Sequence, residues 1–125
     1  MLSFILVGAG GLLGSLARYG VSLIFKPSGG FPWATLAVNV VGTFVIALVA
    51  GLVEKKVTGL GSPEARLFFA TGFCGGFTTF SALMLELAEM FRNASYAQAG
   101  MYLGASLLGG CLAFLAGYIL IRSLL

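Results

Sequence analysis

The stretch Gly72-Phe73-Cys74-Gly75-Gly76-Phe77-Thr78-Thr79-Phe80-Ser81 lies in the middle of an apolar run and is not written like a helix that only faces lipid. Three glycines within five positions, followed by two β-branched threonines, lower helix propensity at a single point. The sequence therefore predicts that the backbone unwinds between about Gly75 and Thr79. Inside hydrocarbon, the amide and carbonyl groups released by unwinding must be buried in protein, line a wet cavity or hold an ion. A plainer alternative is a glycine-packed kink capped by the Thr78 and Thr79 hydroxyls.

The surroundings make hydrocarbon the expected solvent. The chain has 125 residues, 59% of them hydrophobic and 9% charged, with no histidine. A soluble domain of this size needs a charged exterior that this composition cannot supply. Apolar runs at about 2–25, 32–53, 65–91 and 96–121 are each long enough to cross a membrane, for which about 20 helical residues suffice. The expected fold is thus an all-α membrane protein, a single domain over 1–125 with four transmembrane helices, the third broken. Lys26, Pro27, Ser28, Gly29 and Gly30 form a predicted turn, and Glu54 to Glu64 the longest polar loop. No internal repeat is visible. Met1 to Ser15 lacks a basic n-region and a small-residue cleavage site, so it reads as a first span rather than a removable signal.

Several function classes fall away. The seven basic residues are scattered singly, apart from Lys55-Lys56, which suits the ends of membrane spans and not a nucleic-acid surface. Gly8, Gly10, Gly11 and Gly14 imitate a dinucleotide fingerprint, but the spacing fails at Leu13 and no strand precedes it. Cys74 and Cys111 fall inside apolar segments without zinc or haem spacing and read as buried free thiols. No nucleophile has a base beside it and no metal-ligand cluster is present in the sequence, so an enzyme is not expected.

The remaining signals are glycines and isolated polar groups. Gly10 and Gly14, Gly72 and Gly76, and Gly100 and Gly104 are pairs four apart, the spacing that lets membrane helices approach closely. Asn39 falls in mid-span, Glu86 two turns beyond the predicted break, and Arg18 in the last turns of the first helix. An asparagine within a span commonly bonds helix to helix. Ionisable groups at membrane depth are functional candidates, although Arg18 could also snorkel to the interface.

Taken together, Gly-Gly-x-x-Gly followed by Arg18, Thr35-Leu36 with Asn39 and Gly42, and the segment Gly72 to Ser81 resemble the CrcB/Fluc fluoride channels over essentially the whole chain. The resemblance implies four-helix subunits forming an antiparallel dual-topology dimer in the plasma membrane of a prokaryote, with two fluoride pathways and a central structural sodium ion (Na+). It implies that carbonyls matching Gly75 and Thr78 hold the sodium, that Asn39 hydrogen-bonds fluoride, and that Phe80 is the first pathway phenylalanine. Ser81, Glu86, Tyr102 and Ser106 match further pathway positions, and Arg18 an arginine near the aqueous vestibule. The sequence departs from the pattern at Leu83, where a second phenylalanine is expected, and at Ala82, Met84, Gly110 and Phe114. These departures leave open a degenerate pathway or a heterodimer in place of a homodimer. The function so implied is passive, selective fluoride conduction that lowers cytoplasmic fluoride. The alternative is a small multidrug-type proton-coupled transporter, against which stands the lack of an acid in the first helix.

Orientation can be read independently. With four spans, Lys55, Lys56, Arg66 and Arg122 lie on the side of the termini, and Arg18, Lys26 and Arg92 lie opposite. Insertion follows Lys/Arg bias, and this distribution carries almost none, so both orientations are expected and an antiparallel pair becomes available. In intact cells, Lys26→Cys and Lys56→Cys variants should both be labelled from outside; labelling at only one position would rule out dual insertion.

Overall fold

The computed structural model describes residues 1–26 and 29–125. Pro27 and Ser28, part of the turn expected from sequence, lie outside the described residues, while Gly29 and Gly30 turn with φ of 62° and 74°, values that glycine adopts without strain. Helix α1 runs Leu2–Ile24 and α2 Trp33–Glu54. The third span, Pro63–Arg92, is composite: α3 (Pro63–Arg66), a π-helical stretch (Leu67–Cys74), α4 (Gly75–Phe77) and α5 (Phe80–Arg92). Helix α6 runs Tyr96–Leu124. Four helical spans are thus long and apolar enough to cross a membrane, and every described element is helical apart from turns and one isolated bridge residue.

Local chemistry sets the ends of these elements. Ser62 accepts a hydrogen bond from Ala65 N–H at 3.1 Å, Pro63 takes the first helical position and Glu64 follows in the first turn. At the far end of the third span, the Ala94 and Ser95 amides return to the Phe91 and Met90 carbonyls, with Ala94 at φ 54°. This tight reversal launches α6. At the other end of the bundle, the Tyr118 hydroxyl donates to Glu54, and the Arg122 guanidinium lies 5.7 Å from the Tyr118 ring centre.

The bundle is inside out relative to a soluble protein. Leu12, Leu16, Leu107, Leu108, Leu112 and Ile119 are exposed, as lipid-facing side chains should be. Lipid removes the hydrophobic drive between helices, so packing relies on close approach. Two glycines of α1 and two of the third span supply it. A Cβ at Gly10 would stand 2.3 Å from the Phe68 oxygen, and one at Gly14 2.1 Å from the Phe73 oxygen. Conversely, a Cβ at Gly72 would meet the Val7 oxygen at 2.8 Å, and one at Gly76 the Gly11 oxygen at 2.4 Å. Helices α2 and α6 pack in the same way, Gly51 against Ile121 and Gly117 against the Phe44 carbonyl.

Three readings of the sequence need correction. Gly75 and Gly76, expected to unwind, are helical; the backbone leaves helical geometry at Thr78 (φ −86°, ψ 158°) and Thr79 (φ −152°, ψ 120°) alone. The reason is that Gly76 belongs to the α1 seam, where it packs against the Gly11 carbonyl and Ser15. Gly100 and Gly104 touch nothing within 4 Å of a built Cβ, so that pair makes no packing contact inside the chain. Cys74 is buried, but Cys111 is exposed, because an apolar helix position can face lipid as readily as protein.

Alanine at Gly14 must displace a backbone carbonyl, whereas alanine at Gly20 meets nothing within 4 Å. Gly14→Ala should destabilise the protein by about 1–3 kcal/mol, as overpacking does. Gly20→Ala should be neutral or stabilising by up to about 1 kcal/mol, since alanine favours helix. Thermal unfolding in detergent distinguishes the two; equal midpoints would show that the seam is not tight.

Candidate functional site

The site begins with a hydrogen-bond problem created at Thr78 and Thr79. In a continuous helix the Thr79 N–H would close onto the Gly75 carbonyl and the Phe80 N–H onto that of Gly76. With both threonines extended, neither bond forms, and partners must come from elsewhere. Asn39 of α2 supplies one pair: its Oδ1 accepts from Thr79 N–H at 2.8 Å, and its Nδ2 donates to the Thr79 carbonyl at 3.0 Å. Because a backbone N–H can only donate and a carbonyl only accept, this pairing fixes the orientation of the Asn39 amide. One Nδ2 hydrogen remains for another acceptor.

Other side chains complete the junction. Arg18 of α1 donates from Nε to the Gly76 carbonyl at 3.1 Å. The Thr78 N–H and hydroxyl both donate to the Cys74 carbonyl, at 2.9 and 2.8 Å, ending α4. Thr79 Oγ1 accepts from Ala82 N–H at 3.2 Å and lies 3.3 Å from Ser81 Oγ, so Thr79 is the N-cap of α5. Thr43 Oγ1 donates to the Asn39 carbonyl at 2.6 Å, one turn further along α2.

Two crevices flank this junction and share only Thr79. The first, of about 350 Å³, is walled by Asn39, Thr43, Gly75, Thr78, Phe80 and Leu83. Phe80 is 72% exposed there, whereas Leu83 is 6% exposed and belongs chiefly to the core cluster with Leu87, Met90, Ala99 and Tyr102. The second crevice, of about 320 Å³, holds Arg18 with Ser15, Tyr19, Ser22 and Thr35.

The fold therefore gathers some of the residues singled out in the sequence and separates others. Asn39, Phe80, Leu83, Gly75 and Thr78 share one crevice, and Arg18 stands in the other. Ser81 is exposed beside Thr79. Glu86 lies deeper, its carboxylate oxygens accepting from Thr35 Oγ1 at 2.6 Å and Tyr102 Oη at 2.5 Å. That triad joins α2, α5 and α6; Tyr102 is fully buried, and Phe31 meets its ring edge-on with centroids 5.5 Å apart. Ser106 spends its hydroxyl on the Tyr102 carbonyl at 2.8 Å. Sequence reasoning missed the polar stripes that build the site, although the signal was there. Thr35, Asn39 and Thr43 recur every four residues, and Ser15, Arg18, Tyr19 and Ser22 at i, i+3, i+4 and i+7, each set tracing one face of a helix.

The Gly75 and Thr78 carbonyls are left over at this junction. The Thr79 amide that would satisfy Gly75 is committed to Asn39, and Thr78 is extended, so neither oxygen has a helical donor. A Cβ built at Gly75 finds nothing within 4 Å, which leaves that side of the chain open.

Fold and site together define a four-span integral membrane protein carrying a polar junction at mid-span, between two crevices. Residues 5–118 match the family described as CrcB-like protein, Camphor Resistance (CrcB). The chain belongs to this family. It is 50% identical over 119 residues to the fluoride-specific ion channel FluC of Chlorobium luteolum, covering 94% of this chain and 91% of that protein. The like-named protein of Chlorobaculum tepidum is 47% identical over 123 residues (98% and 96% covered), and that of Hyphomonas neptunium 46% over 120 (94% and 93%).

Replacing Asn39 tests the junction. Asn39→Leu leaves the Thr79 N–H without its partner, while the Thr79 carbonyl keeps its place as the N-cap acceptor of α5, and should cost about 1–3 kcal/mol. Hydrogen exchange at the Thr79 amide should accelerate accordingly; unchanged protection would show that the pairing is not formed in the membrane protein.

Proposed function

We propose that this chain is a subunit of a passive, selective fluoride channel that lowers cytoplasmic fluoride, and that it catalyses no reaction. The observation that carries the reading is the first crevice, where the Asn39 amide retains an uncommitted N–H beside the exposed Phe80 ring. Fluoride holds its water tightly, so a narrow pathway needs strong donors to replace that water. The Asn39 N–H is such a donor. An aromatic ring offers an electropositive edge to an anion, which gives Phe80 a role that an aliphatic residue of equal bulk lacks. The names of relatives aligned over more than 90% of the chain support the same ion.

The finer parts of the reading belong together. The subunit pairs with an antiparallel copy, placing Gly75 and its open side at the dimer centre. There the Gly75 and Thr78 carbonyls would hold a structural sodium ion, which supplies fixed positive charge beside the pathways. In this arrangement the Thr78–Thr79 interruption makes carbonyl oxygens available that a continuous helix would consume. Leu83, committed largely to the core, leaves a single ring contact per crevice. Glu86, held by two hydroxyls, is the acid nearest the path, and Tyr102 and Ser106 support it from α6. A proton-coupled multidrug transporter is the weaker reading, because both Glu86 oxygens are engaged by hydroxyls and the first helix offers no acid.

Purified protein in liposomes should release fluoride, read with an electrode, and not chloride. Phe80→Ile should reduce efflux to that of protein-free vesicles while leaving the dimer folded. Efflux equal to wild type from a folded Phe80→Ile protein would return Phe80 to simple packing. Release that appears only after addition of a second subunit would replace the homodimer by a heterodimer.

A further inference from the structure

We propose that Arg18 is a positioning residue that acts through its Nε–H donor rather than its charge, closing the Gly76 carbonyl of α4 and so fixing where the third span leaves helical geometry. The Gly76 oxygen has lost its helical donor, because Thr78 and Thr79 carry the Phe80 amide away. Its one partner among the described residues is Arg18 Nε, at 3.1 Å. Left open, this carbonyl would be an unsatisfied acceptor at membrane depth, and the cheapest relief would be for the helix to continue through Thr78. Continuation would take the Thr79 amide from Asn39, so both junction bonds depend on this cap.

The glycine seam determines which atom of Arg18 does the work. Gly14 and Gly76 hold α1 and α4 so close that a Cβ at Gly76 would lie 2.4 Å from the Gly11 oxygen and 3.0 Å from the Ser15 amide. Arg18 sits one turn beyond Gly14, and at this separation the near nitrogen of its guanidinium meets the carbonyl, leaving the terminal nitrogens to the crevice with Ser15, Tyr19 and Ser22. Glutamine carries Nε2 at the same side-chain position as arginine Nε, with an N–H but no charge. Lysine keeps the charge, places a methylene at that position and carries its nitrogen one atom further out.

These two substitutions separate donor from charge, and the proposal rests on the channel reading only for its flux measurement. Arg18→Gln should retain slow amide exchange over 78–82 and the larger share of fluoride efflux. Arg18→Lys should lose protection there by about tenfold or more, the effect of a lost hydrogen bond to a buried acceptor. Lysine protecting as well as glutamine, or better, would overturn the proposal and assign Arg18 to electrostatics. Should neither variant fold, the wild type decides: of the four arginine Nε–H signals in 15N-labelled protein, that of Arg18 should exchange about tenfold or more slowly than that of exposed Arg92. Equal rates would sink the idea. Wild-type vesicles that release no fluoride would refute the channel reading while leaving the exchange measurements to judge Arg18.

Discussion

The paired hydrogen bonds between the Asn39 amide and the backbone of Thr79 are the constraint from which the rest of the site follows. A membrane helix can abandon its own ladder only where the released amides and carbonyls find other partners or line a cavity away from lipid. Asn39 does so for both backbone groups of one residue, and in doing so keeps Thr79 extended. That conformation exposes the Gly76 carbonyl to Arg18, places the Thr79 hydroxyl over the first turn of α5, and starts α5 with Phe80 projecting from the bundle. Asn39 and Arg18 reach this segment from two other helices, α2 and α1. The junction is therefore a tertiary object, although it lies within one span.

Close approach is the second requirement. Asn39 and Arg18 have side chains of fixed reach, so α1 and α2 must lie near the junction. Glycine secures this on both sides: Gly10 and Gly14 meet carbonyls of the third span, and Gly42 leaves room for the Thr78 methyl, which a Cβ would approach to 2.2 Å. In water such contacts would add little to a large hydrophobic drive, but in lipid they are a main source of helix adhesion. The π-helical stretch Leu67–Cys74 lies on the same seam, where wider turns bring the Phe68 and Phe73 carbonyls over glycines of α1.

A second polar centre, Glu86 with Thr35 and Tyr102, sits two turns along α5 and ties α2 and α6 to it. Because Thr35 and Asn39 occupy the same face of α2, the two centres are mechanically coupled through one helix. Asn39 at the junction and Thr35 at the carboxylate cannot move independently by more than the flexibility of a single helical turn.

Much of this was legible before the structure. Apolar run length and the scarcity of charge determine four spans, since hydrocarbon thickness sets a minimum length and excludes unpaired ions. The glycines and threonines of Gly72 to Ser81 mark the place where the third span is weakest, because propensity is a local property. Which residues of that segment leave the helix was not local. Gly75 and Gly76 are the weakest helix formers there, yet they remain helical because Gly76 is held against Gly11 and Ser15, while Thr78 and Thr79 yield because Asn39 and Arg18 stand ready to satisfy what they release. The same limit hid the inward commitment of Tyr102 to Glu86 and the outward face of Cys111. A sequence records the cost of breaking a helix at each position; only the packed neighbours decide where that cost is offset.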